Sequence, residues 1–291
     1  MDNIMTFVEA LLLGIIQGLT EFIPVSSTAH LLITQKLLGI PADSATFSFL
    51  VIVQLGTLVS LFIFYWQDLL KIMRATFQVS GVMLKKFRSG PGQAWNLTPE
   101  TISPDALLGF YIILATIPAL LAGYLLRDAV EALFRQPMLQ ASMRLFAAAI
   151  LLSLAERLSR KNRQLEGMNW LDALVIGIFQ VIAVFPGASR SGTTISGGMF
   201  RGFDRPSAAR FAFLMSIPVM LAAGAYEMLD VLQMPDLGAF LPLLAIGFVS
   251  AAITGWFAIR WLIAFLGKRS LYGFAVYCAL VGSACLAAYL L

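Results

Sequence analysis

The chain has 291 residues, of which 59% are hydrophobic and only 12% charged, whereas a soluble domain is roughly 45 to 50% apolar and about 25% charged. A water-soluble surface cannot be built from that composition, so the two soluble domains that the length alone would suggest are excluded. The net charge of +4, from 20 Lys and Arg against 16 Asp and Glu, is too small and too scattered for a nucleic-acid partner, and the chain reads as an all-α polytopic membrane protein.

A spanning helix needs about 20 mostly apolar residues. The chain begins Met1-Asp2-Asn3, with no positive region ahead of its first apolar stretch, which argues against a cleaved signal peptide. That stretch, about 4–40, is interrupted by EFIPVSSTAH (21–30), and spans are predicted at 46–66, 105–126 and 138–155. Between the first two, residues 69–88 mix apolar and basic side chains, as either an interfacial helix or a solvated loop would. A second interrupted stretch, about 170–200, breaks at FPGASRSGTT (185–194), and spans at 207–229, 238–264 and 271–291 complete the chain. A helix broken in lipid leaves backbone groups unpaired unless protein or a water-filled cavity surrounds them. The architecture expected is therefore six transmembrane helices plus two re-entrant helix hairpins. In the last span, Cys278 and Cys285 are two turns apart, about 10 Å and beyond disulfide reach.

Basic residues fix the expected orientation. Lys71, Arg74, Lys85, Lys86, Arg88, Arg157, Arg160, Lys161, Arg163, Arg201, Arg205, Arg210, Lys268 and Arg269 fall on one side if the spans alternate, against Lys36, Arg127 and Arg135 on the other. That bias puts the first set in the cytoplasm and both termini outside.

The two interrupted stretches are related. Residues 9–28 superpose on 172–191 after a shift of 163 positions, pairing Ala10/Ala173, Leu11/Leu174, Gly14/Gly177, Ile15/Ile178, Gln17/Gln180, Phe22/Phe185 and Ser26/Ser189 as identities. Three spans lie between the copies, so the second enters from the opposite face. This is an inverted-topology repeat, whose site is expected near the midplane where the broken helices meet. The domain reading is a single membrane domain over 1–291, with repeat one at about 4–126, repeat two at about 170–264, and helices 138–155 and 271–291 completing the bundle.

Ionisable groups inside apolar segments are costly and usually face the protein interior or a water-filled cavity. Glu21 and Arg190 sit in the two breaks, with the only histidine, His30, nearby. Gln17 and Glu21 share one helical face. Ser26, Ser27 and Thr28 precede His30, whose imidazole is expected beside the Ser27 hydroxyl if a half-helix starts there. Ser189, Arg190, Ser191, Gly192, Thr193 and Thr194 open another half-helix, whose N–H groups and guanidinium suit a phosphate or diphosphate, with a carboxylate opposite that could hold a divalent cation. Plainer readings stand beside these: serines as helix caps, His30 as a satisfied polar contact, and Glu21 and Arg190 as mutual neutralisation. Glu9 and Asp172 are read as structural, by their placement at helix starts, and Glu227 as loop-facing.

QGLTEFIPVSSTAH (17–30) and PGASRSGTT (186–194) resemble the two signature motifs of the undecaprenyl-diphosphate phosphatase family, known also for bacitracin resistance, and the resemblance in span number and spacing covers nearly the whole chain. It implies a bacterial inner-membrane enzyme that removes the terminal phosphate of the C55 isoprenoid diphosphate, regenerating the lipid carrier for peptidoglycan synthesis. It also implies a divalent cation, typically magnesium or calcium, and a site facing the periplasm. Carried over, the site is Gln17, Glu21, Ser26, Ser27, His30, Ser189, Arg190 and Thr194. Gln at 17, an option within the family pattern, leaves Glu21 as the one carboxylate of the first motif.

On charge, Arg190, the N–H groups at 189–194 with Ser191 among them, and a metal near Glu21 and Gln17 compensate the diphosphate. Ser27 or His30 attacks, or His30 activates the attacking group. The rival from another class is a secondary transporter or flippase of a polyprenyl phosphate lipid, because inverted repeats with broken helices are also transporter architecture; the expected hydroxyl–imidazole pair favours the enzyme. A homodimer is compatible with the sequence, which does not fix the oligomeric state.

Overall fold

The computed structural model describes residues 5–41, 43–88, 102–125, 137–183, 189–233 and 237–291. Among them the chain forms eleven α-helices and no strand: α1 (Phe7–Phe22), α2 (Ser27–Leu38), α3 (Ser44–Phe64), α4 (Trp66–Arg88), α5 (Pro104–Leu125), α6 (Pro137–Leu158), α7 (Trp170–Ile182), α8 (Arg190–Phe200), α9 (Arg205–Val231), α10 (Leu237–Leu266) and α11 (Tyr272–Leu290). Six of these, α3, α5, α6, α9, α10 and α11, are long and apolar enough to cross a membrane, with ends within three residues of the bounds read from sequence. Large apolar side chains such as Ile63, Leu121, Ile150, Phe257 and Leu280 are exposed on their outer faces. Water would penalise so much exposed apolar surface, whereas lipid covers it. The protein is a multi-pass membrane protein. Arg127 and Arg135, and the Pro186-Gly187-Ala188 start of the second motif, lie outside the described residues.

The interrupted stretches are helix pairs. The helices α1, α2, α7 and α8 have 16, 12, 13 and 11 residues, about 16 to 24 Å each, which is short of the roughly 30 Å of hydrocarbon. The helices α1 and α7 start alike. Thr6 caps α1, accepting from the Glu9 N–H while the Glu9 carboxylate accepts from the Thr6 N–H, and Asn169 and Asp172 repeat this reciprocal cap on α7. Such a box satisfies two otherwise orphaned donors, so the structural reading of Glu9 and Asp172 holds. Asp172, fully buried, is also salt-bridged by Arg163 and by Arg201. Burial alone would raise its pKa, but the hydrogen bonds from Arg163, the Asn169 N–H and Arg201 hold the carboxyl below its ordinary value.

Helix pairing follows the repeat. The helix α1 packs on α10 and α7 on α5; α3 packs on α10 and α9 on α5; and α3 packs on α9. Exchanging α1, α2, α3 and α5 for α7, α8, α9 and α10 maps these contacts onto one another. The identity Gly14/Gly177 has a steric reason. A Cβ at Gly14 would stand 2.4 Å from the Gly247 carbonyl oxygen of α10, and one at Gly177 would stand 2.6 Å from the Ala115 carbonyl oxygen of α5, so only glycine lets these backbones approach.

The helix α6 touches both α2 and α8, and α11 packs on α6. Residues 69–88 are helical, as α4, with Leu69 and Ile72 buried and Trp66, Phe77 and Leu84 exposed. Both cysteines are free. Glu227 departs from its loop-facing reading: it is buried and accepts a hydrogen bond from Ser48 of α3 at 2.5 Å. Its place near the end of a span hides the fact that α3 covers it.

Candidate active site

The helix α1 ends at Phe22, and Ile23, Pro24, Val25 and Ser26 turn the chain before α2 begins at Ser27. Pro24 has no N–H to offer a continuing helix, and the Val25 N–H bonds the Ile23 carbonyl at 2.7 Å, closing a tight turn. Ser26 caps α2, its hydroxyl accepting from the Ala29 N–H at 3.4 Å. In the second break Ser189 caps α8, accepting from the Gly192 N–H at 3.2 Å. The capping expectation for these serines is met in both copies of the repeat.

The helices α2 and α8 therefore present equivalent first residues, Ser27 and Arg190, which are 163 positions apart like the repeat itself. Both contact one carboxylate. The Ser27 hydroxyl donates to Glu21 Oε2 at 2.8 Å, and Arg190 makes a direct salt bridge to Glu21 Oε1. Gln17 Nε2 donates to Oε2 at 2.7 Å, and Gln54 Nε2 of α3 approaches Oε1 at 3.4 Å. Glu21 is thus buried but surrounded by donors, as a charge in a low-dielectric interior must be. The Ser27 and Arg190 contacts both come from the N-terminal residues of half-helices, the positive ends of their dipoles. The Ser191 hydroxyl donates to the Ile23 carbonyl at 3.3 Å and shares a hydrogen bond with the Ser189 hydroxyl at 3.1 Å, tying one break to the other.

Beside Glu21 a small open cleft is lined by Glu21, Phe22, Arg190, Ser191 and Thr194, with Ala212, Phe213 and Ser216 of α9 completing its wall. Phe22 and Phe213 meet edge to face at 5.5 Å, giving the polar floor an apolar side. The Thr194 hydroxyl bonds the Arg190 carbonyl at 2.7 Å. The Arg190 side chain is 20% exposed, so the guanidinium is within reach of an entering ligand.

The structure thus brings Gln17, Glu21, Ser26, Ser27, Ser189, Arg190, Ser191 and Thr194 into one constellation. The pairing expected for His30 does not form. Its Nδ1 lies 2.8 Å from the Ser26 carbonyl oxygen and its Nε2 lies 2.8 Å from the hydroxyl of Tyr277 on α11, while the Ser27 hydroxyl turns to Glu21. A carboxylate six residues back on α1 outcompetes the imidazole, because the turn at 23–26 folds Ser27 over the end of α1. Gln54 and Tyr277 escaped the sequence reading. Gln54 had a signal, an amide inside an apolar span, but a search for ionisable groups passes over it. Tyr277 had none.

As metal ligands Glu21 and Gln17 offer a carboxylate and an amide oxygen, and among the described residues no group of three or more His, Cys, Asp and Glu side chains comes together. A magnesium-like ion needs little more from the protein when substrate phosphates and waters complete its shell, so this donor set fits a cation that binds together with a diphosphate.

Residues 10–284 match the family model described as bacitracin resistance protein BacA. The chain is 40% identical over 280 residues to an undecaprenyl-diphosphatase of Alkaliphilus metalliredigens, covering 96% of this chain and 97% of that one. It is 41% identical over 284 residues to one of Anaeromyxobacter sp. (strain K), covering 96% and 90%, and 39% identical over 275 residues to one of Acidothermus cellulolyticus, covering 94% and 93%. The family match runs through both breaks and into the last of the six long apolar helices, and this chain belongs to the BacA bacitracin resistance family.

Proposed function

We propose that the chain is an integral-membrane phosphatase that hydrolyses undecaprenyl diphosphate to undecaprenyl phosphate and inorganic phosphate, recycling the lipid carrier for peptidoglycan synthesis and thereby conferring bacitracin resistance. The names of the relatives support it. The observation that carries it is the convergence of Ser27 and Arg190, each the first residue of a half-helix, on the single carboxylate of Glu21. A hydroxyl hydrogen-bonded to a carboxylate is a nucleophile with its proton acceptor in place. A guanidinium at a helix N-terminus supplies charge for the phosphoryl group it attacks.

In this reading the terminal phosphate enters the cleft and Arg190 exchanges Glu21 for phosphate oxygens. The Ser27 oxygen forms a bond to the terminal phosphorus as its proton passes to Glu21. The bond to the bridging oxygen breaks, and undecaprenyl phosphate leaves carrying that oxygen. Water then cleaves the phosphoserine, releasing inorganic phosphate and restoring the serine. A divalent cation held by Glu21 and the amide oxygen of Gln17, when bound, neutralises phosphate charge. Phe22 and Phe213 wall the site with apolar surface for the first part of the prenyl chain. The four short helices read as two hairpins entering from opposite faces. With the Arg- and Lys-rich connections in the cytoplasm, α1 and α2 enter from the periplasmic side of a bacterial inner membrane, and the site is read as facing that side.

The test is phosphate release from a polyprenyl diphosphate by the detergent-solubilised protein, with and without chelator. Release that falls on chelation supports the reading and its metal. Release unchanged by chelation retires the metal alone. No release, with translocation of a labelled polyprenyl phosphate across vesicles instead, replaces the enzyme by a transporter.

A further inference from the structure

We infer that Tyr277 is a positioning residue for this reaction, acting through His30 to hold the backbone at Ser26 so that the Ser27 hydroxyl meets Glu21. The inference rests on the phosphatase reading above and concerns α11, which lies outside both copies of the repeat.

Ser26 has φ +67° and ψ +91°, and only one other non-glycine residue among those described, Lys161, has positive φ. Such a conformation is strained for an L-residue and persists only where the surroundings impose it. Ser26 immediately precedes Ser27, so its torsions set where the Ser27 hydroxyl points.

Two contacts converge on its carbonyl oxygen, both from His30: the backbone N–H at 3.3 Å and Nδ1 at 2.8 Å. A carbonyl only accepts, so Nδ1 carries a proton. In the neutral ring Nε2 then has a lone pair, and it accepts from the Tyr277 hydroxyl at 2.8 Å. The two rings are parallel within 6°, and the hydroxyl, the imidazole and the carbonyl form one hydrogen-bonded chain from α11 to Ser26. The next residue of α11 reaches the same turn: Cys278 Sγ lies 3.9 Å from the Pro24 carbonyl oxygen. The helix α11 thus meets the turn on both sides of Val25.

The arrangement also removes His30 from the chemistry. Its one basic nitrogen is occupied by Tyr277, and the Ser27 proton already has an acceptor in Glu21. His30 is a strut between a rigid helix and a strained residue. Tyr277 anchors the strut's far end.

The experiment measures kcat and KM for a polyprenyl diphosphate in detergent for wild type, Tyr277→Phe, His30→Ala and the double variant, with melting temperatures. Tyr277→Phe keeps the ring and the packing of α11 and removes only the hydroxyl. It should lower kcat about tenfold, leave KM within twofold and keep the melting temperature, because the loss is one of alignment in the reacting state rather than of binding. The double variant should be no slower than His30→Ala, since the two residues act as one unit. Wild-type kcat in Tyr277→Phe would overturn the inference, as would losses that multiply in the double variant or a fall confined to melting temperature. A wild-type protein without turnover would instead fail the phosphatase reading and this inference with it.

Discussion

Among the described residues, the buried carboxylates Asp172 and Glu21 both carry arginine partners, as Glu156 does with Arg205, yet the first two do different things. Asp172, at the start of α7, accepts from both terminal nitrogens of Arg163, from Arg201 Nε and from the Asn169 N–H. Arg201 is the C-cap of α8, so Asp172 joins the base of the α7–α8 pair, with the loop backbone adding Arg163 N–H to Gly202 and Asp204 N–H to Arg163 bonds. Glu21, at the end of α1, accepts from a single nitrogen of Arg190, from Ser27 and from two amides, and it opens on a cleft. The ion pair does not separate the two sites. Glu21 has a serine hydroxyl among its donors, an arginine that is partly exposed, and the wall of another helix across a cleft. Asp172 has every acceptor position filled by groups that stay put. One network fixes the hairpin's base, and the other works at its tip.

That contrast can be broken residue by residue. Glu21→Gln keeps the size and the neighbours of the side chain but removes the proton acceptor. It should lower kcat by about 10³-fold with little change in melting temperature, as phosphate release and a thermal melt would measure together. Arg190→Lys retains charge but not the planar fork, and kcat should fall about 100-fold, or near 3 kcal/mol. Near wild-type turnover with Lys would mean that Arg190 serves only to neutralise Glu21.

At the other network the effects should reverse. Asp172→Asn should destabilise by about 2 kcal/mol, below the roughly 3 to 5 kcal/mol of a fully buried pair because both arginines are partly solvated, while kcat of the folded protein stays within about threefold. A carboxyl whose folded pKa lies below its unfolded value contributes stability at pH above the unfolded value, about 3.9, and loses it as pH falls through the folded one. The wild-type melting temperature should therefore have a component that declines below about pH 4, and Asp172→Asn should lack it. Glu9→Ala, at the repeat-equivalent position but on a half-exposed helix start without arginines, should cost only about 0.5 to 1 kcal/mol and leave turnover unchanged.

The sequence made one of these networks legible and not the other. Spans were readable because a run of about 20 apolar residues has few alternatives, and the breaks because a proline clustered with serines and a charge interrupts an apolar run. The meeting of Glu21 with Arg190 followed from the repeat, since an odd number of spans between the copies brings their tips to one level. Arg163 and Arg201 looked like loop charges of the cytoplasmic side; nothing local says that two loops fold over the start of α7. Within the site, Ser27 and His30 were placed together by helical spacing, but the turn at 23–26 rotates Ser27 away, and its torsions are set by contacts with α11. Tyr277 sits 247 positions from His30, in a helix outside the repeat, so neither motif nor symmetry could point to it. Arg144, buried within α6, is as much an intramembrane charge as Arg190. What distinguishes Arg190 is its place at a broken helix.

The central claim is that Ser27, held on Glu21 where the two half-helices meet, attacks the terminal phosphate. Single-turnover phosphate release by Ser27→Ala, alongside wild type at equal folded protein and saturating polyprenyl diphosphate, tests it most directly. Removal of the nucleophile should lower the rate by at least about 10³-fold while the variant keeps its melting temperature and still binds the lipid. Turnover within tenfold of wild type would contradict the account, leaving Glu21 and Arg190 to act on water without the serine.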